Sequence, residues 1–480
     1  MERYCYSCDF GKGIIMNPFA IVIICTIGFI LFRRQNIHQK YRSLFSLTVA
    51  IEINSIAGYF VIFKGKELDY SDIALLVTSI VAFFCLILKN RMKRNQLLLS
   101  LLFAGIILAG VFHTIISTPT VKIIDYRTNW DAYLYGYTEM TEAVIASQTV
   151  LMLIRVALFL LNSYIVLGFD KNTILNVTKV CKNCMKLHIV YALAEAATKY
   201  ILRSNALTIF RNAFFGLGGS TQSSFQTRGA GIEIYGWTRE ASHLAEVMFL
   251  FWALCILTKD LRKQKIWLIL AGVIMVLSMS FSTVMYAACI AVLFVAVYRI
   301  KASRSFLTIA FLGIVLLGGL GYVVLNNKYY MGRLSGFVTD AVAIFSGKSS
   351  FSREMVTSSK VRLLGMSETM KAFFERPLLG IGLGTAYCNS GIVSLLSNIG
   401  VAGTLAWIYY CLRFGDRDRK LLKLCIVFLA MFILPNILKG GMGMLYATHN
   451  LLFILLIRYD KYGTCADSTV YNYFNNEAVS

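Results

Sequence analysis

Long apolar runs, broken at intervals by short basic segments, set the pattern of this chain. The runs fall at residues 13–32, 44–63, 73–88, 97–116, 144–169, 187–202, 241–257, 266–279, 282–298, 306–325, 391–412, 424–438 and 444–457. Most have about 16–24 residues, enough to cross ~30 Å of hydrocarbon at 1.5 Å per residue. The pattern predicts about 12–13 transmembrane helices, the lower number applying if the short run 266–279 or 444–457 is re-entrant. Backbone polar groups in lipid must be paired within the protein, which excludes open sheets, and the runs are too uniformly apolar for barrel strands. The expected fold is therefore an all-α polytopic integral membrane protein, with residues 1–480 forming a single integral membrane domain.

The connections between runs differ in kind. Seven of them, every second one along the chain and so all on one side, carry 26 of the 47 Lys and Arg residues: RRQNIHQKYR, KNRMKR, residues 171–186, KDLRKQK, RIKASR, RFGDRDRK with Lys423, and RYDKY. An excess of Lys and Arg marks the cytoplasmic side, so the N-terminus is expected outside and the C-terminus inside. The first run has no small-residue cleavage site after it and reads as an uncleaved signal. Three outer connections are long: 117–143, 203–240 and 326–390. The last contains residues with helical apolar spacing, Met355, Val361, Leu364, Met370, Phe373 and Phe374, against a polar side of Arg353, Lys360, Arg362, Lys371 and Arg376. That is an amphipathic, basic helix suited to a membrane surface, and Pro377 is expected to stop it. This topology predicts that cysteines placed at Ser223 and Ser349, in a background without native thiols, react with an impermeant reagent in intact cells. A cysteine at Ser303 should not, and its labelling from outside would invert the orientation.

Composition adds weight without changing the class. Hydrophobic residues make up 57% of the chain, above the ~45–50% of soluble domains, and mean hydropathy is +0.65. The net charge of +22 would suggest nucleic acid in a soluble protein; here the basic connections account for much of it, and no nucleic-acid partner is expected. The outer segments keep an excess that positive-inside bias does not explain: 326–390 has eight Lys or Arg against Asp340, Glu354, Glu368 and Glu375. Residues 203–240 have Arg203, Arg211, Arg228 and Arg239 against Glu233 and Glu240. Contact with lipid headgroups explains any single residue. Together the two segments point to a large anionic substrate, which the planar fork of arginine holds through two phosphate oxygens. The pairs Cys5–Cys8 and Cys181–Cys184 have a zinc-ribbon spacing but fall on opposite sides of the predicted membrane, and Cys5–Cys8 suits a disulfide. No P-loop, dinucleotide fingerprint, HExxH or aspartate cluster is present, so no cofactor and no metal is expected.

Two stretches carry a resemblance. A phenylalanine-rich helix leads into RPLLGIGLG and then an apolar run with Gly400, Val401 and Gly403; residues 227–249 read TRGAGIEIYGWTREASHLAEVMF. Both resemble the bacterial O-antigen polymerase and O-antigen ligase superfamily. In the second stretch the matching positions are Arg228, Gly231, Glu240 and Ser242, with Ala241 where the family often has proline. The resemblance implies a class C glycosyltransferase-like architecture with two long outer loops carrying short helices, in the bacterial inner membrane, its active site facing the periplasm. The implied donor is an undecaprenyl-diphosphate-linked oligosaccharide, transferred without metal. Arg228 and Arg362 are the expected neutralisers of the leaving diphosphate, with Arg211 and Arg353 as second choices, and Gly231, Gly380 and Gly382 permit close backbone approach to substrate.

The general base stays open. Glu240 is a candidate, but a carboxylate at a helix start is equally an anchor held ionised by the dipole. Glu246 lies within an apolar run, as do Arg155 and Glu195, where ionisable groups are functional candidates or paired with one another. Ligases of the superfamily carry a His-Asn pair after the glycine-rich stretch. Here that place reads Cys388-Asn389, while His449-Asn450 falls in the last run. The departure favours a polymerase of surface polysaccharide repeat units over a ligase acting on lipid A–core. A lipid-linked oligosaccharide flippase is the rival from another class. Membrane lipids and a chain-length regulator protein are the other candidate partners.

Overall fold

Helices dominate the computed structural model, which describes residues 17–56, 59–63, 66–89, 94–123, 140–142, 147–216, 227–228, 231–278, 280, 282–298, 339, 342, 358–413, 421–437 and 443–459. Among these, four segments are long and apolar enough to cross a membrane: Tyr70–Leu88, Arg94–Ile116, Gln148–Val166 and Gly391–Arg413. Shorter apolar helices are Pro18–Phe32, Ala241–Leu257, Lys265–Leu277, Ser282–Tyr298 and Cys425–Asn436. Burial reaches only 33% along Arg94–Ile116 but 61% along Gly391–Arg413, so the first leaves a broad apolar face outward and the second is packed within protein. That outward face carries Leu98, Leu101, Leu102, Phe112 and Ile115, the distribution expected where lipid replaces water. The chain is a helical, multi-pass membrane protein.

The chain divides into two compact units. The first comprises Met1–Asn90, Val180–Met248 and Ile269–Thr283. Helix Pro18–Phe32 starts where Pro18, lacking an N–H, takes the first position and the Asn17 side chain accepts from the Ala20 N–H. It packs against Ile37–Ile53, Tyr70–Lys89 and the short helix Ala206–Phe215. Helices Ile37–Ile53 and Tyr70–Lys89 are tied by a 2.8 Å bond between the buried Thr48 and Thr78 hydroxyls. Between them the structure corrects the predicted run 44–63. The helix ends at Ile53, and Tyr59–Phe63 forms an antiparallel hairpin with Lys66–Asp69. The aromatic and β-branched run YFVIF favours a strand once a polar strand pairs with it, and length alone hid this. Residues 171–186, read as a cytoplasmic connection, are also helical: Asp170 accepts from the Thr173 N–H and starts a helix running from Lys171 to Tyr200. Cys181 and Cys184 on this helix are free thiols.

The second unit comprises Arg91–Lys179, Phe249–Leu268 and Val284–Ser480. Helix Arg94–Ile116 lies along Gly391–Arg413, where Tyr410 stacks on Phe103 with centroids 5.8 Å apart and shares a hydrogen bond with Ser163. The expected helix in 326–390 is present as Ser358–Glu375, ending just before Pro377. Its inward face is Leu363, Leu364, Thr369 and Ala372, which differs from the apolar face read from spacing: Phe374 is exposed. Ala372 joins Ile123, Ile381 and Ala386 in a small core beneath the strand pair Lys122–Ile123 and Thr141–Glu142. Glu375 caps the turn before that strand by accepting from the N–H groups of Thr120 and Val121 and the Thr120 hydroxyl. Burial alone would raise its pKa; these bonds, aided by Arg376, hold it below the usual carboxylate range. The predicted span 306–325, Cys5 and Cys8 lie outside the described residues.

Candidate active site

Arg228 and Gly231 face each other across a minimal hairpin, Thr227–Arg228 paired with Gly231–Ile232. Immediately after it, the backbone from Ile232 to Thr238 is held almost group by group by side chains of two helices. The Tyr200 hydroxyl accepts from the Ile232 N–H at 2.8 Å and donates to the Ile232 carbonyl at 3.1 Å. Lys199 donates to the Glu233 carbonyl at 2.7 Å, and Arg211 to the Thr238 carbonyl at 2.9 Å. One Glu195 carboxylate oxygen accepts from the Tyr235 and Gly236 N–H groups at 3.1 and 2.7 Å. The other accepts from Lys199 at 2.6 Å and from the Thr208 hydroxyl at 3.1 Å. His188 accepts from the Trp237 N–H at 2.8 Å through Nε2, so its proton sits on Nδ1 and points to Asn54 Oδ1, 3.2 Å away. Its ring also stacks on Trp237 at 4.9 Å. Gly236, at φ +57°, is required here, because a Cβ would lie 2.3 Å from His188 Nε2.

The spacing explains how the sequence builds this clamp. His188, Tyr191, Glu195 and Lys199 recur every three or four residues and share one face of helix Lys171–Tyr200. Thr208 and Arg211 do the same on Ala206–Phe215. Glu195, Lys199 and Arg211 are all buried. A buried pair is costly to break from one side because it strands the remaining charge, about 3–5 kcal/mol. The two ends are unequal. Without Lys199, the Glu195 carboxylate keeps two N–H donors and a hydroxyl; without Glu195, the Lys199 ammonium keeps one carbonyl and the face of Tyr235. Glu195→Ala is therefore expected to destabilise more than Lys199→Met, and Lys199→Met should partly rescue Glu195→Ala, as read by thermal unfolding in detergent. Additive losses would mean the two do not act as a pair.

In the second unit, residues 376–384, which follow the helix that carries Arg362, form a seat for helix Gly391–Arg413. Helix Gly391–Arg413 is broken at Gly400, whose φ of 64° and ψ of −173° are accessible to glycine. The break frees backbone groups, and the seat takes them: the Val401 N–H donates to the Pro377 carbonyl at 2.8 Å, the Ala402 N–H to the Leu378 carbonyl at 3.0 Å, and the Ile381 N–H to the Ser397 carbonyl at 2.8 Å. Asn398, fully buried, accepts from the Thr385 and Ala386 N–H groups at 2.9 and 3.1 Å and donates to the Ala386 and Ser394 carbonyls at 2.9 and 2.6 Å. Ser397 donates to the Thr369 carbonyl at 2.7 Å, which ties the broken helix to Ser358–Glu375. Arg376 reaches Ser117 and His113 at the end of Arg94–Ile116.

Comparison with protein-family models, curated proteins and solved structures finds no match to this chain.

The sequence-predicted residues fall on these two scaffolds as follows. Arg228 and Gly231 pair in the short hairpin that precedes the clamp in the first unit, and Arg362 lies half-buried on the helix that precedes the seat in the second. Gly380 and Gly382 belong to the seat itself, with φ of 71° and 96°. A Cβ on Gly380 would sit 2.5 Å from the Asn398 backbone, so its close approach is to protein. Arg211 is a correction: it is completely buried, with Nε and Nη2 on Asn212 and Nη1 on Thr238, and it serves the clamp. The suggested pairing of Arg155 with Glu195 gives way to other partners. Glu195 is bridged by Lys199, and Arg155 donates to the Tyr446 hydroxyl at 3.1 Å. Glu246 is buried in helix Ala241–Leu257. Glu240 is exposed and accepts from the Ser242 hydroxyl at 3.2 Å, while its carbonyl opens helix Ala241–Leu257 by accepting from His243 and Leu244. Arg353 lies outside the described residues. Among the described residues no group of three or more His, Cys, Asp or Glu gathers to hold a metal ion.

Asn398, His188, Glu195 and Lys199 are the residues that sequence reasoning passed over or misjudged. The three on helix Lys171–Tyr200 share a polar stripe inside an apolar run, and that stripe was the available signal. Asn398 had none, since a single amide in a small-residue helix has no local pattern.

Proposed function

We propose that this protein is a surface-polysaccharide polymerase of class C glycosyltransferase-like architecture, acting at the outer face of a bacterial inner membrane. It joins undecaprenyl-diphosphate-linked repeat units. The acceptor hydroxyl attacks the anomeric carbon of the donor sugar, the bond from that carbon to the diphosphate oxygen breaks, and undecaprenyl diphosphate leaves. Arg228 and Arg362 each stabilise negative charge developing on the diphosphate. Glu240, exposed and with one hydroxyl donor on its carboxylate, is the general-base candidate that takes the acceptor proton.

The observation that carries this reading is the construction of residues 376–384. The stretch on which the resemblance rests is the one that locks the Arg362 helix to the broken membrane helix, a fixed support of the kind that electrostatic catalysis requires. The broken helix also bears on the flippase alternative, since transporters use freed half-helix amides to bind substrate. Here the Val401 and Ala402 amides are already taken by the Pro377 and Leu378 carbonyls, which favours a structural break. A glycan assay on a strain lacking the gene separates the readings. Loss of long chains with single repeats still attached to lipid A–core fits a polymerase. Loss of all attached repeats fits a ligase, and accumulation of the lipid-linked unit in the cytoplasm fits a flippase. Purified protein is expected to lengthen lipid-linked repeats in the presence of a chelator, and a requirement for magnesium or manganese would overturn the metal-independent mechanism.

A further inference from the structure

Helix Ala206–Phe215 has its polarity reversed. Its buried side chains are Thr208, Arg211 and Phe215, and both polar ones enter the hydrogen-bonded clamp around Glu195 and Thr238. Its exposed side chains include Ile209 and Phe210, each 54% exposed, together with Ala206 and Ala213. The two residues that end the preceding turn, Ile201 and Leu202, are more exposed still, at 77% and 68%. A helix in water places its apolar residues inward; this one turns Arg211 in and Ile209 and Phe210 out.

The apolar face also continues onto a neighbour. Phe210 stacks on Phe214 with centroids 5.5 Å apart, and Phe214 packs on Phe19 of helix Pro18–Phe32 at 5.8 Å. That helix in turn exposes Ile21, Val22, Ile24 and Phe29, an apolar surface of the kind that faces lipid. The junction is fixed by the Asn17 amide and the Tyr70 hydroxyl, both donating to the Phe215 carbonyl, at 3.3 and 2.6 Å.

We infer that helix Ala206–Phe215 lies within the bilayer, its outward face covered by lipid acyl chains. Three observations select acyl chains over water or another protein. The exposed face among residues 206–215 carries no charge; the one cation of the helix is spent on an internal carbonyl and amide; and Phe214 joins the face to helix Pro18–Phe32 through Phe19. On this reading the first part of the outer segment 203–240 is a short intramembrane helix, with the Arg228 hairpin following it.

The test attaches an environment-sensitive fluorophore to single cysteines in the full-length, otherwise cysteine-free protein reconstituted in phosphatidylcholine vesicles. Phe210→Cys and Ala213→Cys report the face, and Leu102→Cys on helix Arg94–Ile116 supplies a lipid-facing reference. The expected result is blue-shifted emission at 210 and 213, with loss of fluorescence to acyl-chain nitroxide lipids matching that at 102 and little loss to aqueous iodide. Quenching by iodide would place the helix in water and overturn the inference. Blue-shifted emission reached by neither quencher would mean that protein covers the face, and would overturn it equally. Ala213→Cys changes little volume, so it retains the readout if Phe210→Cys fails to fold.

Discussion

Gly400→Ala is expected to abolish the native second unit. A Cβ at this position would lie 2.2 Å from the Leu378 carbonyl oxygen and 2.6 Å from the Leu379 nitrogen, and both are backbone atoms that cannot rotate away. The dihedrals, φ 64° and ψ −173°, add strain that only glycine escapes. Backbone strain of about 1–3 kcal/mol and overpacking of about 1–3 kcal/mol come before any hydrogen bond is lost. Relief of the clash requires the turn at 377–380 to withdraw, which strands the Val401 and Ala402 N–H groups in an apolar surround at roughly 1–3 kcal/mol each. The sum is a large fraction of the ~5–15 kcal/mol stability of an ordinary domain. The variant should be degraded in cells or lose its cooperative unfolding transition in detergent. Gly105→Ala, in helix Arg94–Ile116, is the matched control: nothing lies within 4 Å of the added Cβ. It should be neutral or stabilising by up to ~1 kcal/mol through helix propensity. Equal stability of the two variants would show that the break at Gly400 is not under steric constraint.

The second large effect concerns activity. Arg228→Ala and Arg362→Ala should each lower polymerisation by about 10²–10³, or 3–4 kcal/mol, if each guanidinium meets charge that develops at the diphosphate. Membrane insertion and expression should remain normal. Arg→Lys should rescue in part, because lysine keeps the charge and loses the two-point fork. Arg333→Ala and Lys348→Ala, basic positions outside the described residues, supply the comparison. If their whole role is contact with headgroups, each should cost only about 1 kcal/mol. The same small loss from all four would mean that the outer arginines only hold the protein to the membrane.

Much of the class and several boundaries were written in the chain. Run length and uniform apolarity require transmembrane helices, because a lipid-exposed backbone has no other way to pair its groups. Pro377 ends the helix Ser358–Glu375, and Asn17 with Pro18 starts the first one, since caps and prolines act through neighbours only a few residues away. Gly380 and Gly382 announced close backbone approach, and at Gly380 the group that approaches is the Asn398 backbone.

Everything that depends on which distant groups meet was left to tertiary structure. Residues 44–63 read as one span, yet Tyr59–Phe63 leaves the helix to pair with Lys66–Asp69, a partner that hydropathy does not register. Arg211 read as a ligand for phosphate because an arginine in an outer segment normally meets solvent. Its burial against Thr238 and Asn212 follows from a loop 27 residues away that needs its carbonyl satisfied. Glu195 read as a partner for Arg155 because both are charges in apolar runs. Helical geometry gave it Lys199 one turn on, and the turn at Tyr235 and Gly236 gave it two amides. Hydrophobic periodicity records the solvent a residue avoids, so it fixes the membrane and the helices. It carries no record of which carbonyl a buried cation will find, and that choice is made only when the segments pack.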